Sequence, residues 1–276
     1  MGTSNLYGGP KKSVLLPADY IQDGDTEGDA VPAVSTPNEL DPEAEIPNEA
    51  PSEAMQPSVT WANVRSSMRK AMNSRSSGQI KGAIRNYTKA LGGHSNATRQ
   101  AVKARRATGA LLAYFSGTPE SIRQRFEDAG IHFDGRSTKD IFQDICLLIA
   151  PTPNDIEDSL VNKALLETFS DIVIDQSIDL NKLDSFNEEL LQRLVGGMVK
   201  HYIFYKLILQ SEQTALKRCE SVSALRELEK SIKLYIDGIV DSIVPEIVKS
   251  GMNATDFNRV VDTLYDITYQ QMEEMQ

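Results

Sequence analysis

Cysteine, histidine and long apolar runs are scarce in this sequence, and each scarcity excludes a class of protein. The 276 residues include two cysteines, Cys146 and Cys219. These are too few for a disulfide framework, so a reducing, cytoplasmic setting is predicted. The three histidines lie far from one another and from cysteine, so no zinc site is predicted. No run of about 18 apolar residues is present, which predicts that no segment spans a membrane.

Acidic residues are missing from one long stretch, and this absence divides the chain by charge. Residues 1–57 carry eleven acids and two lysines, for a net charge of −9. Residues 58–110 carry eleven Lys or Arg and no acid, and residues 111–276 have a net charge of −12. We therefore predict three parts: a tail over residues 1–57, a basic helical segment over 58–117 and an acidic α-helical body over 118–276.

The tail has the composition of a disordered segment. Eight of the twelve prolines lie in it, and large apolar residues are nearly absent after position 18. Such a segment cannot bury enough surface to offset the entropy that ordering removes. The first ten residues differ because they carry no side-chain charge, with Leu6 and Tyr7 as candidate anchors. A neutral peptide on an acidic tether is typical of a segment that another protein binds; the alternative is an ordinary frayed terminus.

Helical periodicity runs through the rest of the chain. In the basic segment, apolar residues at three- and four-residue spacing predict three helices, with Gly78 between the first two and Gly92-Gly93 ending the second. Similar stripes continue through the body, where Pro245 is expected to kink or end its helix. No alternating strand pattern is present. The predicted fold class is all-α: a multi-helix body preceded by a long disordered, acidic, Pro-rich N-terminal tail.

The basic segment allows two interpretations. Its cations attract phosphate, as in a nucleic-acid-binding adaptor, although the segment has neither interleaved aromatic residues nor a nucleic-acid motif. The same cations can instead pair with an acidic protein surface, in this chain or in a partner. We favour protein over nucleic acid. The candidate basic contact surface consists of Arg65, Arg69, Lys70, Arg75, Lys81, Arg85, Arg105 and Arg106.

No active site is recognisable in the sequence. There is no phosphate-binding loop, and no catalytic pair or set of metal ligands occurs at the required spacing. Cys146 lies in an apolar run typical of a core and has no local activating partner. We therefore predict a protein that is not an enzyme, with no catalytic residue, bound metal or cofactor.

The N-terminus carries the most distinctive chemistry. Gly2 is small, so removal of the initiator methionine is expected to leave a free glycine amine. The myristoylation pattern requires Ser or Thr at the sixth position, where this sequence has Leu6, so no lipid is expected. A sterically open primary amine therefore stands at the end of the tail.

The opening residues also resemble a known family. The sequence begins MGTSNLYGGP, continues to Leu15-Leu16-Pro17, and then has an acidic Pro-rich stretch and a basic helix containing Trp61. This start and this order resemble the QatB family of bacterial Qat anti-phage systems. Beyond the start, the resemblance is one of layout along the whole chain.

The resemblance implies a role in defence against bacteriophage, beside an ATPase, a QueC-like protein (QatC) and a TatD-like nuclease. Related QueC-like defence enzymes use ATP to attach a deazaguanine-type nucleobase to the N-terminal glycine of a partner protein. By that resemblance, QatC binds the N-terminal peptide and Gly2 is the modification acceptor. The recognition peptide, at residues 2–10, then includes Gly2, Thr3, Ser4, Leu6, Tyr7, Gly8, Gly9 and Pro10.

Overall fold

Helices dominate the part of the chain that the structure describes. The computed structural model describes residues 59–150, 152–174, 178–182, 185–211, 222–251 and 256–275. These residues form ten α-helices and no β-strand, so the all-α prediction is confirmed for them. The predicted tail lies outside the described residues. The helices are α1 (Trp61–Ser74), α2 (Ser77–Ala90), α3 (His94–Gln100), α4 (Val102–Phe115), α5 (Pro119–Asp128), α6 (Thr138–Ile149), α7 (Ile156–Ile174), α8 (Glu188–Ser211), α9 (Val222–Gly251) and α10 (Phe257–Glu274).

Local chemistry sets the start of α6 and the end of α2, and the second of these is the end that Gly92-Gly93 predicts. The Ser137 hydroxyl accepts a hydrogen bond from the Asp140 backbone N–H at 3.2 Å and so caps the start of α6. After α2, Gly92 and Gly93 adopt φ values of 93° and 84°. Glycine enters this left-handed region without the steric penalty that a Cβ imposes, so α2 ends there.

Two boundaries differ from the prediction, and at Pro245 the structure excludes one of the two predicted alternatives. Gly78 lies inside α2, because the chain turns earlier, at Arg75, whose φ is 52°. The third helix predicted in the basic segment is divided into α3 and α4 at Ala101. Pro245 lies inside α9 and does not end it. Because proline has no N–H, α9 continues there without a hydrogen bond from residue 245 to the carbonyl oxygen of Asp241.

The basic and acidic helices share one hydrophobic core. Helix α8 packs against α4, α7 and α9, while α10 packs against α2, α3, α4 and α9. Fully buried apolar side chains from these elements include Ile84 of α2, Leu111 of α4, Leu194 of α8 and Val240 of α9. The basic segment and the acidic body are therefore distinguished by charge while their helices pack on one another.

A charged side chain is buried within this core. Lys206 of α8 is 5% exposed, and its Nζ lies 3.2 Å from Glu157 Oε1 of α7. Nζ also donates to the Tyr202 hydroxyl at 2.8 Å and to the carbonyl oxygen of Gln100, at the end of α3, at 3.3 Å. The Tyr202 hydroxyl donates in turn to Glu157. Burial lowers the pKa of Lys206, and Glu157 opposes that shift. The network therefore links α3, α7 and α8. Its contacts stabilise the fold because burying a charge is costly unless hydrogen bonds and an opposite charge compensate it.

Candidate functional site

The recognition peptide predicted at residues 2–10 lies outside the described residues, and so does Cys219. The second predicted site, the basic contact surface, lies within them. Of its eight residues, one contacts a carboxylate, two contact neutral groups, and five contact no carboxylate in the described part of the chain.

Two of the three cations on α4 are paired with carboxylates from other parts of the chain. Lys103 Nζ lies 2.6 Å from Asp155 Oδ2 and 2.7 Å from Asp158 Oδ1, beside the start of α7. These hydrogen bonds raise the pKa of Lys103 and lower the pKa values of both carboxyl groups. Arg105 Nη1 donates to Asp262 of α10. These cations therefore attach α4 to the acidic body.

Two cations on α2 have neutral partners. Arg85 Nη1 donates to the carbonyl oxygen of Met275 at 3.3 Å. Lys81 Nζ lies 5.9 Å from the centroid of the Tyr235 ring, a cation–π contact with α9. Both side chains are partly exposed, and their positive charge is not cancelled by these contacts.

The remaining five candidate residues contact no carboxylate in the described part of the chain. Arg69, Lys70, Arg75 and Arg106 are exposed, and Arg65 is partly exposed. Four of the five lie on α1 or at its C-terminal cap, and α1 contains no acidic residue. Its positive charge is therefore uncompensated among the described residues.

A polar groove of about 470 Å³ lies between α1 and α2. Lys70 and Arg85 are its two cations, and neither a carboxylate nor an aromatic ring lines it. Gly78 and Gly82 lie one turn apart on α2. A Cβ at either position would meet no atom within 4 Å, so the groove is open at both glycines. The groove is lined by Ala62, Asn63, Ser66, Ser67, Lys70, Gly78, Gln79, Gly82, Arg85 and Asn86.

The aromatic residues closest in sequence to this groove pack against each other. The Trp61 ring meets the Tyr87 ring edge to face, with centroids 6.2 Å apart, and Tyr87 is fully buried. Stacking of nucleobases needs an accessible aromatic face. The groove instead presents amides, hydroxyls and cations, which can hydrogen-bond either a polypeptide or a phosphate group.

Helices α3 to α9 and most of α10 lie in a region that matches a known family. Residues 92–272, more than half of the chain, match the family described as Qat anti-phage system associated protein QatB. The chain belongs to the QatB family. The matched residues start at the glycine turn after α2 and end within α10, so the opening residues and the α1–α2 groove lie outside the match. Searches against curated proteins and solved structures give no match.

Family membership makes the protein a component of a Qat anti-phage system. The resemblance noticed in the first residues is thereby confirmed by a separate part of the chain. Nothing in this match assigns a partner, a modification or a reaction.

The described residues offer little reactive chemistry elsewhere. Cys146 is 4% exposed, and burial raises the pKa of its thiol to about 11, so the reactive thiolate is suppressed. No group of three or more His, Cys, Asp or Glu side chains is placed to hold a metal ion within the described ranges. None of their helices is long and apolar enough to cross a membrane.

The sequence does not indicate which basic residues form ion pairs with carboxylates in the fold. The carboxylate partners of Lys103 and Arg105 lie 52 and 157 positions away along the chain. No local motif signals such pairs. The absence of acids from α1 was a weak signal that its cations are unpaired. Helices α2, α3 and α4 also lack acids, so this composition does not distinguish α1 from them.

Proposed function

We propose that this protein is a non-enzymatic substrate and scaffold within a Qat anti-phage system. The helical body docks the QueC-like partner QatC, and the N-terminal peptide enters the active site of that partner. QatC then conjugates a deazaguanine-type nucleobase to Gly2: ATP activates a carboxyl group of the base, the Gly2 amine attacks it to form an amide, and the activating group leaves as the amine loses a proton. The ATPase and the TatD-like nuclease of the same system are further candidate partners.

The uncompensated charge of α1 carries the docking part of this proposal. Arg69 and Lys70 are exposed without a carboxylate partner in the described residues, whereas Arg105 on α4 has one. Exposed cations beside an open polar groove complement an acidic protein surface. Because α1 is the first described helix after residues 1–58, a partner bound there is near the tail along the chain.

The chemistry of the opening residues supports the modification part. The pKa of an α-amino group is about 7.7–8.0, so a useful fraction of the Gly2 amine is neutral and nucleophilic near pH 7.5. Glycine lacks a Cβ and can enter a narrow catalytic slot. Thr3 and Ser4 offer hydroxyl hydrogen bonds, while Leu6 and Tyr7 offer apolar anchorage. A tether of this length raises the local concentration of the peptide once the body has docked.

The alternative function is a nucleic-acid-binding adaptor that presents DNA to the nuclease. The exposed cations favour it, but Lys103 and Arg105 are engaged by carboxylates and add little to a surface that follows phosphates. Tight binding of duplex DNA at about 150 mM salt, with a steep loss of affinity as salt rises, would favour the adaptor over our proposal.

The Gly2→Glu variant tests the proposal directly. It should fold and bind QatC normally, yet gain no mass in the presence of the system and give no phage resistance, because the substituted residue adds bulk and charge in the catalytic slot. Intact mass spectrometry of protein purified with and without its partners, together with plating efficiency, measures both effects.

The matched control is Gly24→Glu, which adds the same charge to the tail outside the recognition peptide. It should retain both the mass gain and the resistance. Full resistance in a strain that carries Gly2→Glu would overturn the proposal. An unmodified wild-type protein that still confers resistance would reject the conjugation step alone.

A further inference from the structure

A second cleft, separate from the α1–α2 groove, lies among α7, α8 and α9. Its volume is about 360 Å³, which is within the range of small-molecule sites. Each of the three helices contributes ionisable side chains to its lining, including Asp171 from α7, His201 from α8 and Asp237 from α9.

Two adjacent glycines bring these helices together at the cleft. A Cβ on Gly197 would lie 2.7 Å from Thr168 Cγ2 of α7, so any larger residue would push the two helices apart. A Cβ on Gly196 would lie 3.5 Å from Val244 of α9. The cleft is therefore formed by closely packed helices, which hold its side chains in defined positions.

His201 presents an acceptor that has no partner. The residue is 3% exposed, and its Nε2 lies 2.9 Å from Asp171 Oδ2. A carboxylate only accepts, so Nε2 carries a proton, and Nδ1 is an acceptor when the ring is neutral. Nδ1 is buried and has no hydrogen-bond partner among the described residues.

Asp237 presents a second acceptor of the same kind. Its Oδ1 is also buried and has no hydrogen-bond partner in the described part of the chain. Burial raises the pKa of Asp237, while Lys200 and Lys233 oppose the shift. Unpaired buried acceptors destabilise a fold, so both atoms need a hydrogen-bond donor from outside the chain, either water or a bound group.

The cleft also has one negative charge in excess when its carboxyl groups are ionised and His201 is neutral. Lys200 Nζ lies 2.6 Å from Asp241 Oδ1, so this pair is already neutralised. The carboxylates of the lining are Asp171, Glu189, Asp237 and Asp241, and its cations are Arg193, Lys200 and Lys233.

We propose that this cleft binds a small organic cation through a primary ammonium group. An ammonium group has three donors and no acceptor, so it can donate to both His201 Nδ1 and Asp237 and supply the missing positive charge. A free diamine and the side chain of a lysine in a partner protein both present this group. The site does not depend on the proposed modification of Gly2, so each proposal can fail without the other.

Calorimetric titration of the full-length protein tests this site, with putrescine and Nα-acetyl-lysine amide as separate probes. We expect saturable binding of at least one probe and none of 1,4-butanediol, which has the length of putrescine but no charge. Tighter binding of putrescine would assign the site to free diamines, and tighter binding of the lysine derivative would assign it to protein lysines. Absence of binding by both probes would overturn the proposal.

Variants locate the binding within the cleft. Asp237→Asn keeps the side-chain shape, removes the charge and should weaken binding about tenfold. Glu227→Gln removes the same charge from an exposed position on α9, about 15 Å along the helix, and should leave affinity unchanged. His201→Gln provides a second cleft variant if Asp237→Asn does not fold, as judged by circular dichroism. Wild-type affinity in a folded cleft variant would place the ammonium elsewhere and overturn the proposal.

Discussion

Helices α1 and α4 have sequences of the same kind, rich in Lys and Arg and free of acids, yet two of the three cations on α4 are paired and those on α1 are not. On α4, Lys103 and Arg105 contact carboxylates, including that of Asp262 on α10. On α1, Arg69 and Lys70 are exposed and contact none in the described part of the chain. Lys103 and Arg105 attach α4 to the body, whereas the cations of α1 have no carboxylate partner among the described residues, which is why we propose α1 as the docking surface.

The difference shows that like-charged residues close together in the sequence do not all belong to one exposed surface in the fold. A cation stabilises the fold when tertiary packing brings a carboxylate to it, and it serves recognition when packing leaves it exposed. Lys206 is the extreme of the first case, since it is almost fully buried beside Glu157. The loss of unfolding free energy on removing a cation should therefore be largest for Lys206, smaller for the paired cations of α4 and smallest for those of α1.

The largest effect is expected for Lys206→Ala. Removing the ammonium group leaves Glu157 partly buried without its counter-ion and the Tyr202 hydroxyl without a donor. Loss of one partner of a buried pair costs about 3–5 kcal/mol of unfolding free energy. Urea unfolding measures this cost, with Lys230→Ala, at an exposed position of α9, as the control. A cost below about 1 kcal/mol would show that the network contributes little to the fold.

A smaller effect is expected for Arg105→Glu. The variant loses the ion pair with Asp262 and places two carboxylates side by side, which should cost about 1–2 kcal/mol. Arg106→Glu is the matched control, because Arg106 is adjacent on α4, exposed and without a carboxylate partner in the described residues. It should change stability by less than about 0.5 kcal/mol.

The second substitution Asp262→Arg tests the pair itself. In the Arg105→Glu background it restores opposite charges and should recover most of the lost stability. Equal destabilisation by Arg105→Glu and Arg106→Glu would contradict the contrast between paired and unpaired cations.

The fold class and most helices could be predicted because apolar periodicity is a local property of the sequence. Glycine and proline disfavour a helix interior, but neither residue excludes one. Glycine costs a helix only about 1 kcal/mol, so Gly78 stays inside α2. Pro245 stays inside α9 because Val244 and Val248 on either side of it are buried, and that burial offsets the lost hydrogen bond.

The sites were less predictable because they depend on contacts between distant parts of the chain. Composition locates the basic segment but does not reveal which cations meet carboxylates from distant helices. The cleft beside His201 combines side chains of three helices and follows no motif, although the Gly196-Gly197 pair within an apolar stripe is a local signal of close helix packing. The recognition peptide remains a prediction from sequence and resemblance, since it lies outside the described residues.

The smallest effect on stability is expected for Lys70→Glu, and that variant tests the docking surface. Lys70 is exposed, lines the α1–α2 groove and has no carboxylate partner in the described residues, so its reversal should change the unfolding free energy by less than about 0.5 kcal/mol. Association with QatC should nevertheless weaken about tenfold, because the reversed charge repels an acidic surface. Lys139→Glu, an equal reversal at an exposed position of α6, should leave association unchanged.

Added salt should weaken the wild-type complex and reduce the difference between wild type and Lys70→Glu, since exposed charges are screened beyond about 8–10 Å at moderate ionic strength. Equal binding by both variants at low salt would remove α1 from the docking surface and leave the contrast between α1 and α4 without a functional meaning.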